Sequence, residues 1–128
     1  MKDLQAISDG MFRIRVEDDF DASHMIPNHV GKCRDLHGHF YKVEVFTVGN
    51  ELDSNGILKD SDFLDLKRTL GDVVIKYDHK HLNDVIGDDT TAENIAKTIF
   101  KELKDRDIKR LEKVRVWESP RNYAEYWE

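Results

Sequence analysis

The sequence predicts an α+β domain, an antiparallel sheet with its helices packed on one face. Three observations carry this. Both ends of the chain alternate apolar and polar residues, the mark of half-buried strands. The middle changes to apolar spacings of three and four, the mark of amphipathic helices. The resulting order is strand, strand, helix, helix, strand, strand.

The first strand is read in "MFRIRVEDDF", where Phe12, Ile14 and Val16 oppose Arg13, Arg15 and Glu17. "HFYKVEVFTV" repeats the pattern, with Tyr41, Val43 and Val45 opposite Lys42 and Glu44. "DSNG", residues 53 to 56, is a turn signal, with a short extended piece expected after it. From Asp62 the period changes: Phe63, Leu66, Leu70, Val73 and Tyr77 predict a helix over residues 62 to 76. "YDHKHLND" breaks it. "TTAENIAKTIFKEL" then opens with a capping box, Thr90 as the cap and Glu93 reaching back. Ala92, Ile95, Ala96, Ile99, Phe100 and Leu103 form its apolar stripe. In "LEKVRVWESPRNYAEYWE", Val114 and Val116 alternate with Arg115 and Trp117 as a third strand. Pro120 interrupts it, and a short fourth strand is expected beyond. The opposite face of this four-stranded sheet carries Phe46, Val48 and Trp117. A face that is not cleanly polar points to a partner subunit.

At 128 residues, without repeats or a Pro/Gly-rich linker, residues 1–128 are expected to form one domain. Charged residues make up 36% and the net charge is -6, which excludes a nucleic-acid binder with a broad basic face. No apolar run reaches the length of a membrane span. "MKDLQAISDG" has no apolar signal core, so a cytoplasmic protein is expected. One cysteine excludes an internal disulfide.

The chemistry is concentrated in the histidines, of which there are six. His37 and His39, at i and i+2 on a strand, point to the same face, and Gly38 leaves the other side clear. His-Gly-His alone is more often a pair of solvated loop residues. His24, at the end of the first strand, tips the balance: an antiparallel neighbour can bring it beside the other two. Three histidines with an open fourth position are a catalytic zinc arrangement. Cys33 is a candidate fourth ligand, which would close the site and make it structural. It is also a candidate proton carrier in a relay with Asp78 and His79. From spacing alone, Asp78-His79 reads as ordinary polar residues of a loop after a helix. Glu118 continues the register of Val114 and Val116, so its carboxylate falls on the apolar face. It either reaches water at the strand end or anchors a ligand with paired N–H donors, such as a pterin or guanine edge.

"FDASH", "CRDLHGHFYKVEV", "GILKDSDFLDLK", "YDHKHLND", "TTAENIA" and "VRVWESPRNYAEY" together resemble the 6-pyruvoyl-tetrahydropterin synthase superfamily, in its order and across nearly the whole chain. The closer likeness is to its 6-carboxy-5,6,7,8-tetrahydropterin synthase branch. The resemblance implies a tunnelling fold: a four-stranded antiparallel sheet with two helices on one face, assembling into an oligomeric barrel, usually a hexamer. It implies that His24, His37 and His39 hold Zn2+ and that Cys33 is the catalytic cysteine. Asp78 and His79 would be its relay partners, supplied by a neighbouring subunit, and Glu118 would anchor the pterin. The implied substrate is 7,8-dihydroneopterin triphosphate. The carboxy branch converts it to 6-carboxytetrahydropterin, acetaldehyde and triphosphate for 7-deazaguanine and queuosine synthesis. The pyruvoyl branch eliminates the triphosphate instead.

The spacer of three residues between Cys33 and His37, and the ending "WESPRNYAEY", resemble the carboxy branch. Ser119 and Arg121 depart from its usual pattern. A further branch carries Glu at the cysteine's place, which this chain does not match. A non-catalytic, zinc-stabilised ligand-binding assembly is the reading from another class. Lys32, Arg34, Lys42 and Lys80 are the candidates to meet the triphosphate, and His29 and His81 stay unassigned.

Overall fold

The structure, a computed structural model, describes residues 7–27, 29, 31 and 35–128. The alternation begun in "MFRIRV" runs on, so that β1 spans Ile7–His24 and pairs antiparallel with β2, His37–Glu51. Their register runs from Ile7 opposite Glu51, past a bulge, to His24 opposite His37. After β2 the Asp53 carboxylate accepts the Asn55 and Ile57 N–H groups. Leu52 then bridges to Leu58, the short extended piece expected after the turn.

Helix α1 spans Phe63–Val74, with the Asp62 carboxylate capping the Leu64 and Asp65 N–H groups. It buries Leu66, Leu70, Val73 and Val74 against the sheet. Residues 75 and 76, expected in this helix, already belong to the turns that follow it. The next elements are β3, Lys80–His81, and the short helix α2, Leu82–Ile86. Helix α3 spans Ala92–Asp105, then β4, Leu111–Ser119, and β5, Asn122–Trp127, complete the sheet. The Ser119 hydroxyl closes the β4–β5 turn by accepting the Arg121 N–H at 3.2 Å.

Three expectations need correction. Among the described residues the sheet has five strands, in the order β3-β1-β2-β4-β5, not four. The added strand is parallel to β1, and at two residues it is too short to show a period. Among the described residues there are three helices rather than two, because α2 starts directly after β3 inside the stretch read as a break. The cap of α3 is Thr91, whose hydroxyl accepts the Asn94 N–H, and not Thr90. Thr90 is wholly buried and donates its hydroxyl to the Met25 carbonyl at 3.2 Å. Adjacent threonines offer the same chemistry, and local sequence does not say which one starts the helix.

The core lies between the inner sheet face and helices α1 and α3. Val16 and Phe20, Tyr41, Val43 and Val45, and Val114 and Val116 meet Ile95, Ile99, Phe100 and Leu103 there. Each large apolar side chain so buried contributes about 1.5–3 kcal/mol. On the outer face, Phe46 is 6% exposed because Lys113 and Arg115 lie over its ring at 4.8 and 4.9 Å. Glu44, equally buried, accepts from Arg15 and Trp117 and faces Arg115 at 3.6 Å. Phe46 is therefore roofed by cations, whereas Phe40 on the same face of β2 stays exposed. Among the described residues, no helix is long and apolar enough to cross a membrane.

Candidate metal centre and the adjoining pocket

Strand pairing builds the centre. His24 and His37 are Cα partners across β1 and β2, and His39 lies two rungs further along, opposite Ala22. The His24 ring centroid is 4.4 Å from that of His37 and 5.2 Å from that of His39, and the last two are 4.7 Å apart. One ligand atom from each falls within 4.8 Å of the others. Zinc held by nitrogens at about 2.1 Å needs them about 3.4 Å apart, so small side-chain movements close the set.

The donor chemistry fits a cation. His24 Nδ1 contacts the Thr90 carbonyl at 2.8 Å and His37 Nδ1 that of Asp35 at 2.7 Å. A carbonyl accepts, so these nitrogens carry the protons and each Nε2 keeps its lone pair. The Nε2 atoms of His24 and His39 are buried without a hydrogen-bond partner among the described residues. Buried polar atoms without partners are costly unless something occupies them. Burial pushes the His24 imidazole below its ordinary pKa, against the pull of the Thr90 carbonyl. Burial does the same to His39, against Glu118. Both shifts favour the neutral, metal-binding form.

Glu118 is half-buried, not sealed in the core, and its Oε1 lies 3.4 Å from His39 Nε2. It thus stands at the edge of the histidine cluster, on the apolar face that its register predicts. Beside it opens a cavity of about 490 Å3 lined by His39, Phe40, Lys42, Trp117, Glu118 and Pro120, among others. That volume suits a small planar ligand. The buried hydroxyl of Tyr41 has no partner among the described residues. Sequence reasoning placed Tyr41 simply in the core.

Asp78 and His79 do not join this cluster. His79 Nδ1 is 3.0 Å from Asp78 Oδ2, so the expected carboxylate–imidazole pair forms. The pair groups with Asp21, which alternation puts on the opposite face of β1 from Ala22 and His24. Asp78 accepts the Asp21 N–H at 3.0 Å, and the His79 N–H donates to the Asp21 carbonyl. His79 adopts φ 58°, a left-handed conformation that swings the chain from α1 into β3. The Asp21 N–H above all, with help from His79, holds the Asp78 carboxyl below its usual pKa. The His79 side chain is 78% exposed.

Cys33, Lys32 and Arg34 lie outside the described residues. Lys42 sits 4.8 Å over the Trp117 ring beside the Glu118 cavity. Lys80 lines a second cavity, of about 550 Å3, with Ser23, His39, His79 and His81, so His79 borders one opening with a member of the histidine cluster although its ring is not part of that cluster. His81 is a strand residue whose Nδ1 contacts the Ser23 hydroxyl at 3.0 Å, and His29 Nδ1 accepts the Gly31 N–H.

This sheet backed by helices is a fold found among pterin-synthesising enzymes. The 6-pyruvoyl tetrahydropterin synthase from Caenorhabditis elegans has the same fold, with a TM-score of 0.82 and 26% identity, covering 93% of this chain and 96% of that one. The 6-pyruvoyl tetrahydropterin synthase family model matches residues 13–128, and the chain belongs to this family. It is 41% identical over 112 residues to a candidate 6-carboxy-5,6,7,8-tetrahydropterin synthase of Archaeoglobus fulgidus, covering 88% of this chain and 92% of the relative. It is 33% identical to the 6-carboxy-5,6,7,8-tetrahydropterin synthase of Haemophilus influenzae, covering 92% of this chain and all of the relative.

Proposed function

We propose that the protein is a cytoplasmic, zinc-dependent 6-carboxy-5,6,7,8-tetrahydropterin synthase. It converts 7,8-dihydroneopterin triphosphate to 6-carboxytetrahydropterin, acetaldehyde and triphosphate, a step toward 7-deazaguanine and queuosine. The observation that carries this reading is the convergence of His24, His37 and His39 with Glu118 at their edge.

His24, His37 and His39 hold the metal, which when bound supplies Lewis acidity toward the hydroxyls of the substrate side chain. Glu118 accepts the paired N–H donors of the pterin's amino-pyrimidinone edge and so fixes the ring against the metal. Cys33, as thiolate, takes and returns a proton. Asp78, held anionic by the Asp21 N–H, orients His79 through Nδ1 and leaves Nε2 to exchange a proton with the cysteine.

The placement of this pair favours a homo-oligomer, of which the family's hexamer is the natural candidate. Asp78 and His79 gather with Asp21 as a group separate from the three histidines, and the His79 side chain is 78% exposed and open to another copy's site. Among the described residues, β5 has one partner strand and β3 covers β1 at Ala22 and Ser23 alone, so both sheet edges offer backbone for pairing.

The test is turnover by the zinc-loaded protein on 7,8-dihydroneopterin triphosphate, assaying acetaldehyde together with the mass of the pterin. Acetaldehyde and a carboxypterin are expected. A pyruvoyl product without acetaldehyde would move the chain to the other reaction. No conversion by a folded, metal-replete assembly would overturn the catalytic reading.

A further inference from the structure

The inner-face histidines are fixed on one side by β2 and on the other by a piece of chain that ceases to be a strand. β3 pairs with β1 for two rungs, Ala22 with Lys80 and Ser23 with His81. At Leu82 the backbone turns into α2, which would leave Met25, the residue after the ligand His24, without an edge partner. Asn83 takes over with its side chain. Its Oδ1 accepts the Met25 N–H at 2.9 Å, and its Nδ2 donates to the Met25 carbonyl at 2.8 Å. One primary amide thus reproduces both hydrogen bonds of a ladder rung. Nδ2 also donates to Asp88 Oδ1 at 3.3 Å, which fixes the amide's orientation.

Thr90 joins the same knot. Its hydroxyl donates to the Met25 carbonyl at 3.2 Å, and its own carbonyl meets His24 Nδ1 at 2.8 Å. The Met25 carbonyl therefore ties Asn83 to the group that turns the His24 ring. Met25 and Asn83 are 58 residues apart, and nothing else among the described hydrogen bonds holds the Met25 backbone.

We propose that Asn83 is a positioning residue of the metal centre. It fixes the exit of β1 and, through Met25 and Thr90, aims His24 Nε2 at the point where the lone pairs of the three histidines meet. This rests on the reading of these histidines as metal ligands. Groups that orient ligands without touching the metal typically change metal affinity about 10- to 100-fold. Coupling between the clamp and the metal is reciprocal: if the clamp tightens metal binding, metal must tighten the clamp.

Two measurements test it. In the first, zinc affinity of Asn83→Ala and of the parent protein is measured by competition with a chromophoric chelator. The visible spectrum of the Co2+-substituted forms and far-UV circular dichroism are recorded alongside. The variant is expected to stay folded, to bind zinc about 10- to 100-fold more weakly, and to show an altered Co2+ ligand-field band. A folded variant with unchanged affinity and spectrum, beside a parent that binds zinc, overturns the role of Asn83 and leaves the ligand assignment standing. A parent that binds no zinc overturns both. The second measurement uses the parent alone: amide hydrogen exchange at Met25 with and without zinc. Slower exchange on metal loading is expected. Unchanged exchange at Met25 in a zinc-saturated protein overturns the coupling, whatever the variant does.

Discussion

His24 Nδ1 lies 2.8 Å from the carbonyl oxygen of Thr90, and His24 is wholly buried. The contact spends one ring nitrogen on the backbone and turns the other toward His37 and His39. His37 sits at the rim of the same cluster, and among the described residues its ring hydrogen-bonds to the Asp35 carbonyl alone. As candidate ligands, the two should therefore fail differently.

His37→Ala is expected to abolish stoichiometric zinc binding while unfolding within about 1 kcal/mol of the metal-free parent, because little packing is lost at the rim. His24→Ala removes a buried ring and orphans the Thr90 carbonyl, so it should lose zinc and also about 2–4 kcal/mol of stability. Metal content and urea unfolding of the metal-free forms separate the two. Equal stability losses would contradict this division of the site into a buried anchor and a rim ligand.

Cys33→Ala tests the proton carrier. If the cysteine moves protons and the three histidines alone hold the metal, the variant keeps zinc at parental affinity and loses turnover by about 100-fold or more. Loss of zinc would make Cys33 a ligand and close the fourth position that the reaction needs.

Glu44 gives the outer face a pH dependence. Burial alone would raise its carboxyl, but the Arg15 and Trp117 hydrogen bonds and the Arg115 charge outweigh it and hold the folded pKa low. A carboxyl whose folded pKa is depressed stabilises the fold above its unfolded value, near 4.3. That contribution is lost as pH falls through the lower folded value. Glu44→Gln should thus cost about 1–3 kcal/mol at pH 7. The gap between parent and variant should close as pH drops below 4.3 toward the folded pKa. A gap independent of pH would mean that Glu44 acts by packing and not by charge.

The sequence makes the long elements and the histidine cluster legible because both rest on a regular period. Two-residue alternation places His37 and His39 together and Glu118 on their face, and the helical period finds α1 and α3. What it misses depends on side chains replacing backbone. β3 has two residues, no more than one alternation. Asn83 reads as a loop residue until Met25 is beside it. Thr90 resembles a helix cap because its neighbour Thr91 is one. The roofing of Phe46 by Lys113 and Arg115 needs cross-strand register, and without it the ring looks like an apolar patch awaiting a partner.

Glu118→Gln is the test of the pterin anchor. The side chain is 26% exposed and its ion-pair contact is His39 at 3.4 Å, so the substitution leaves the core intact and the fold is expected to survive. A carboxylate can accept two N–H bonds from an amino-pyrimidinone edge. An amide of the same shape has one acceptor and meets the second N–H with its own donor, which breaks one charge-assisted bond and sets donor against donor. Such a loss amounts to about 1.5–3 kcal/mol, or about 10- to 100-fold in affinity at 1.36 kcal/mol per decade. The measurement is the dissociation constant of neopterin, which carries the pterin edge but no triphosphate, for the zinc-loaded parent and variant. Weakening in that range with zinc content unchanged places the pterin edge on Glu118. Equal affinities would take Glu118 out of the binding site and leave it as a neighbour of His39 alone.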